Sequence, residues 1–153
     1  MIIIGYQGIG KSTLAGQDNV IDLESGNFWN DGKRIDDWYI YYCNIAEHLS
    51  QQGYVVFVSS HEVVRNRLKQ CSKENICCIY PSILLRDEWV KKLEDRYNET
   101  KLAKDYKAWK NAEYSYKVNI SDLMMCGFKH YEIEHMDYSL KDMVQYLETL
   151  DEF

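Results

Sequence analysis

The stretch GYQGIGKST, Gly5–Thr13, stands directly behind the apolar run MIII. Gly5, Gly10, Lys11 and Ser12 meet the pattern G-x-x-x-x-G-K-[ST] without a mismatch. Each constrained position answers a physical demand. A chain that leaves a strand, wraps an anion and enters a helix needs positive φ angles and close backbone approach, which glycine allows. The amides from Gly8 through Ile9, Gly10, Lys11, Ser12 and Thr13 then converge on the anion. Lys11 can add a point charge for the outer phosphates of a polyphosphate chain, and the Ser12 hydroxyl can bind Mg²⁺. A chance match in a tight turn has no reason to lie between a strand and a helix start, as this one does.

The flanking sequence carries the architecture. Ile2–Gly5 is a β-branched run stopped by glycine and reads as a buried strand. A short helix begins at Lys11 and ends by Gly16, and Val20–Leu23 is a second strand. Asp36–Gln52 sets Trp38, Tyr41, Tyr42, Ile45, Ala46 and Leu49 at helical spacing, with Gly53 as its stop. Tyr54–Val58 and Ile76–Tyr80 are continuous apolar strands with a helix over Glu62–Gln70 between them. Residues 84–123 are charged, aromatic and free of strand signals. Leu85, Trp89, Leu93 and Tyr97 recur there every four residues, and Leu102, Tyr106, Trp109 and Tyr116 follow a break near Asn98–Thr100. Two helices that partly stand off the main body are expected. Phe128–Ile133 is a last strand, and Ser139 caps a final helix striped by Leu140, Met143, Val144 and Leu147. The alternation predicts an α/β three-layer sandwich with about five mainly parallel strands. It is read as a single domain over residues 1–153, with residues 84–123 as a lid-like helical insertion before the last strand.

Bulk properties narrow the function classes. The chain has 153 residues, 46% of them hydrophobic, and a single proline, Pro81, which argues for an ordered core over disorder. A net charge of -6 disfavours broad duplex binding, which needs a basic surface. Cys43, Cys71, Cys77, Cys78 and Cys126 are odd in number and include no CxxC, so they read as reduced thiols and not as a zinc site. No apolar run approaches the roughly 20 residues of a membrane span, and no basic segment precedes MIII. These features predict a cytoplasmic protein with no membrane partner.

Gly5–Thr13, with Gly8 as an additional glycine, resembles the loop of the P-loop kinases. No N-K-x-D motif of the GTPases is present, and Tyr54–Val58 ends in Ser59, Ser60 and His61 where the usual pattern closes on aspartate. Small size and the insertion before the last strand make the chain similar to nucleoside monophosphate and small-molecule kinases. The resemblance covers the whole length as architecture and only Gly5–Thr13 as a specific motif. It implies ATP and Mg²⁺ as donor and cofactor, and a lid that supplies arginines to the transferring phosphoryl group.

Three clusters gain meaning from that resemblance. Asp22 and Glu24, just past the second strand, are similar to an acidic pair that faces the acceptor and Mg²⁺ in some small-molecule kinases; Asp22 is the candidate base and metal ligand beside Ser12. His61 and Arg65, one helical turn apart, follow the third main strand, where ligands of open α/β sheets bind, and Arg65 or Arg34 could clamp an acceptor phosphate. Arg86, Lys92 and Arg96 are the lid cations, with Arg86 preferred because it lies nearest the core in sequence, and Arg96 next. Phe28 and Trp29 lie in a loop where they could stack on a base, whereas Trp38 and Tyr42 read as core. The expected function is transfer of the γ-phosphoryl group of ATP·Mg to a small acceptor, a nucleotide or nucleoside. Two alternatives stay open. One is a phage-type kinase of hydroxymethylated bases in DNA, which would need Lys91, Lys92, Lys101, Lys104, Lys107, Lys110 and Lys117 to form a basic face. The other is a nucleotide-binding regulatory module without transfer.

Overall fold

The computed structural model describes residues 1–151 except 18, 31 and 32; the side chains of Trp29, Asn30, Cys71 and Asp151 also lie outside the described set. The elements run β1 (Ile2–Gly5), α1 (Lys11–Leu14), β2 (Val20–Asp22), β3 (Trp29–Asn30), β4 (Lys33–Arg34), α2 (Trp38–Gln51) and β5 (Val55–Val58). They continue with α3 (Glu62–Cys71), β6 (Ile76–Pro81), α4 (Arg86–Thr100), α5 (Ala103–Met124), β7 (Lys129–Ile133) and α6 (Leu140–Asp151).

The chain is α/β. Five strands form one parallel sheet in the order β2-β5-β1-β6-β7, and β3 pairs with β4 in a separate hairpin. β1 is central, with Ile3 in register with Phe57 of β5 and Cys77 of β6. Strands covered on both faces carry no polar alternation, and every residue of β1, β5 and β6 is buried. Right-handed crossovers divide the helices between the faces. α1 packs with α6 on one side, while α2 and α3 pack together on the other. Lys69 of α3 donates to the Cys126 carbonyl just past α5, which sets the end of α5 on that same side.

The buried residues form one cluster that runs from Ile2–Ile4 of the sheet to Trp89 and Leu93 of α4 and Tyr116, Ile120 and Leu123 of α5. The α4–α5 pair is therefore not held off the body, as its charged composition leads one to expect. Its apolar stripe is spent on β6 and on the glycine-rich turn. α2 also differs from the sequence reading: Tyr42, Cys43, Ala46 and Ser50 are its buried face, while Tyr41 and Ile45 are exposed. The hairpin β3–β4 has no counterpart among the expected elements. Cys43, Cys77, Cys78 and Cys126 form no disulfide; the Cys71 side chain is outside the described residues. Among the described residues no helix is long and apolar enough to cross a membrane.

Candidate functional site

β1 leads one way along the sheet to β2, and β5 leads the other way to β6. Loops that leave neighbouring strands in opposite directions open a crevice at their carboxyl ends. A cleft of about 750 Å³ lies there. Gly5, Gly8, Gly10, Lys11 and Ser12 form its floor, Asp22 and Glu24 one wall, and Ser59, His61 and Arg65 another. Arg96, Lys104, Lys107 and Asn111 reach it from the α4–α5 pair. A second cavity of about 520 Å³ lies across the loop, bordered by Gln17, Lys92, Met136 and Tyr138. Gly8, Gly10, Ser12 and Arg96 border both spaces.

The loop is held from outside. Tyr6 and Ile9 are buried and anchor it, and Gly8 and Gly10 take φ of 84° and 109°. Side chains occupy its carbonyls. Lys11 Nζ donates to Gly5 O at 3.2 Å, Trp89 Nε1 to Gln7 O at 2.9 Å, and the Tyr138 hydroxyl to Ile9 O at 2.6 Å. Lys92 donates to Tyr138 and lies over the Trp89 and Tyr138 rings, 4.4 and 5.0 Å from their centroids. The amides of Gly8 to Thr13 donate to no protein acceptor among the described residues. Gly5 permits the close return of Lys11, because a Cβ there would stand 2.9 Å from Lys11 Cδ. α1 is a single turn, so its macrodipole adds little and the loop amides carry the positive potential.

Charge in the cleft is arranged around Lys11. Desolvation lowers the pKa of its ammonium, Asp22 and Glu24 oppose that shift, and the nearby Arg96 adds to it. Burial raises the Asp22 carboxyl above its ordinary range; Lys11 only partly offsets this, and the negative charge of neighbouring Glu24 adds to it. The Tyr42 hydroxyl fixes this wall: it donates to Leu23 O at 2.6 Å and accepts from the Ser59 amide at 2.8 Å, tying the ends of β2 and β5 together. His61 Nδ1 sits 2.7 Å from Ser59 Oγ, and desolvation, then the charges of Arg34 and Lys11, push its imidazole below the usual value. Arg34 lies over the Trp38 ring at 4.7 Å and donates to Ser25 Oγ at 3.3 Å. Arg65 Nε donates to Ser60 O at 3.0 Å.

The residues singled out from sequence do not all converge. Gly8, Gly10, Lys11, Ser12, Asp22, Glu24, Arg34, His61, Arg65 and Arg96 line the cleft, and Ile9 and Thr13 border the second cavity. Arg86 is not brought to either space. It donates to Glu113 O at 2.7 Å and pairs with Asp87 at 2.8 Å. With about 3.6 residues per turn, Arg86 and Arg96 leave α4 on different faces, so nearness to the core in sequence misleads. Phe28 is turned inward by the short helical turn Ser25–Phe28, and its ring packs against Tyr42 and Trp38 at 5.8 and 6.3 Å. The Trp29 side chain is outside the described residues. The lysines do not form one face either: Lys91 pairs with Asp95, Lys110 with Glu113, Lys92 is taken up beside Tyr138, and Lys104 and Lys107 line the cleft. The sequence offers Lys104 and Lys107 only as members of a possible basic face, while Asn111 and Tyr138 carry no local signal.

Among the described residues no group of three or more His, Cys, Asp or Glu side chains could by itself hold a metal ion. A scan against models of known protein families finds no match, and no curated protein matches the sequence.

Proposed function

We propose that this chain is a P-loop phosphotransferase of the small-kinase type, moving the γ-phosphoryl group of ATP to a small acceptor, a nucleotide or nucleoside. The observation that carries the reading is the row of amides from Gly8 to Thr13 without protein acceptors, on a loop whose carbonyls at Gly5, Gln7 and Ile9 are all occupied. Consecutive backbone amides without protein acceptors on the lining of a cleft suit an external anion. The donor base would enter the second cavity and the phosphate chain would cross the loop beneath Arg96, which borders both spaces. Lys11 and Arg96 bring like charges to one cleft, and a polyphosphate between them removes that repulsion. The acceptor would lie against Glu24, Arg34, His61 and Arg65. Asp22, whose affinity for a proton is raised, would take the proton of an acceptor hydroxyl. Orientation and charge neutralisation would supply most of the rate.

Mg²⁺ fits this donor set. Ser12, Asp22 and Glu24 line the same cleft, and the two neighbouring carboxylates offer hard oxygens that a cation would satisfy together with phosphate oxygens. When bound it supplies neutralisation of the phosphate charge. A second reading, a nucleotide-binding module without transfer, is favoured by β5 ending in Ser59, Ser60 and His61, without a carboxylate. Incubation with γ-labelled ATP and a panel of nucleosides, nucleotides and hydroxymethylated DNA separates the two. A labelled acceptor is expected, lost in Asp22→Asn with nucleotide binding retained, while Lys11→Ala loses binding as well. Transfer that survives Asp22→Asn would remove the assigned base, and ATP hydrolysis with no labelled acceptor would favour the module.

A further inference from the structure

The turn between α4 and α5 contains a buried carboxylate that the reading above does not use. Asp105 is 3% exposed, yet it belongs to α5 only three residues from the exposed residue Leu102. Its two oxygens have separate partners: Oδ1 forms an ion pair with Arg96 Nε at 3.1 Å, and Oδ2 accepts from the Thr100 hydroxyl. The Thr100 oxygen in turn accepts from the Leu102 amide at 3.3 Å, and Lys101 between them sits at φ 56°, in the left-handed region. The turn is thus folded around the carboxylate. The ion pair meets Arg96 side-on, at Nε; its side chain is 40% exposed, and its guanidinium donates no hydrogen bond to protein among the described residues. A guanidinium offers five donors in a fixed fork, so an ion pair at its Nε edge restricts where the terminal amino groups can lie and leaves them available to a ligand.

We infer that Asp105 is the positioning residue that aims Arg96 at the phosphate chain, with Thr100 fixing the carboxylate. This rests on the nucleotide-binding reading and names what sets the geometry of its one bridging cation. Held in this way, Arg96 serves the junction of the two cavities, where the phosphate chain would cross, and its charge would count for more against a triphosphate than against a diphosphate. Asp105 also lines the cleft, and the role inferred for it is exerted through Arg96.

The test is the affinity of the purified chain for ATP·Mg relative to ADP·Mg, measured by titration calorimetry in a double-mutant cycle. Arg96→Ala is expected to lower the preference for ATP by about tenfold or more, the scale of a charge-assisted contact. Asp105→Ala is expected to lower it by a similar factor in the wild-type background and to add nothing in the Arg96→Ala background. Thr100→Val, which leaves the carboxylate in place, is expected to give a smaller drop that also vanishes without Arg96, and it carries the test if Asp105→Ala does not fold. A carboxylate that merely stabilises the turn would change melting temperature while leaving the ATP/ADP ratio intact, or would add to the Arg96→Ala loss; either result overturns the inference. Wild-type protein that binds neither nucleotide would overturn the nucleotide reading and this inference together, and that failure is recognised before any variant is made.

Discussion

Replacing Gly8 by alanine tests whether α4 is fastened to the glycine-rich loop. Two terms contribute. Gly8 has φ 84°, a conformation that costs an L-residue about 1 kcal/mol. A Cβ built there would also stand 2.8 Å from Leu93 Cδ2 and 3.2 Å from Trp89 Nε1, both on the buried face of α4. Neither neighbour can yield freely, since Trp89 is fully buried and donates to the Gln7 carbonyl. Overpacking of this kind costs about 1–3 kcal/mol. Gly16 supplies the control, because its φ of 87° matches and a Cβ there would meet nothing within 4 Å. Gly16→Ala should therefore show the strain alone, and Gly8→Ala strain plus collision. At about 2–4 °C per kcal/mol for a chain of this size, scanning calorimetry should put Gly16→Ala roughly 3 °C and Gly8→Ala roughly 5–15 °C below wild type. Equal shifts for the two variants would refute the packing of α4 on the loop and restore the picture of a free lid.

Other consequences are as direct. Tyr42→Phe leaves the Leu23 carbonyl and the Ser59 amide without their shared partner, and chemical denaturation should show a loss of about 1–3 kcal/mol; a neutral effect would mean that water replaces the hydroxyl without cost. Asp22 binds its proton more tightly folded than unfolded, so its contribution to stability is present below the ordinary carboxylate range and is lost as pH rises through its raised pKa. Asp22→Asn should accordingly melt higher than wild type at pH 7 and lose that advantage under acid conditions, and a variant less stable at pH 7 would contradict the assigned cause. His61 should titrate below the ordinary imidazole value in the free protein and move upward when a triphosphate enters the cleft, because an anion offsets Arg34 and Lys11. Proton NMR of its ring reads both, and a midpoint indifferent to ligand would place the phosphates away from it.

The sheet was legible because parallel strands covered on both faces must be apolar without interruption, as IIIG, VVFV and ICCIY are. The loop was legible because few residues other than glycine tolerate the angles at Gly8 and Gly10. Helix faces were harder. α2 carries aromatic residues nearly all round, so periodicity alone could not tell that Tyr42 and Cys43 turn inward while Tyr41 and Ile45 do not. The stripe of Trp89 and Leu93 was visible, but its partner lies more than eighty residues away in the chain and leaves no local mark. For the same reason Arg86 was preferred over Arg96: sequence gives distance along a helix, and the site depends on direction around it. Tyr138 and the hairpin β3–β4 were missed because a single hydroxyl and a two-residue pairing carry no period.

The Trp89 indole and the Leu93 side chain make the loop and α4 one mechanical unit, and coupling of that sort is reciprocal. Anything that stiffens the loop must slow hydrogen exchange along α4 as well. Anything that loosens α4 from beyond the cleft, at Arg86 or at its contact with Glu113, is felt in return by whatever the loop holds.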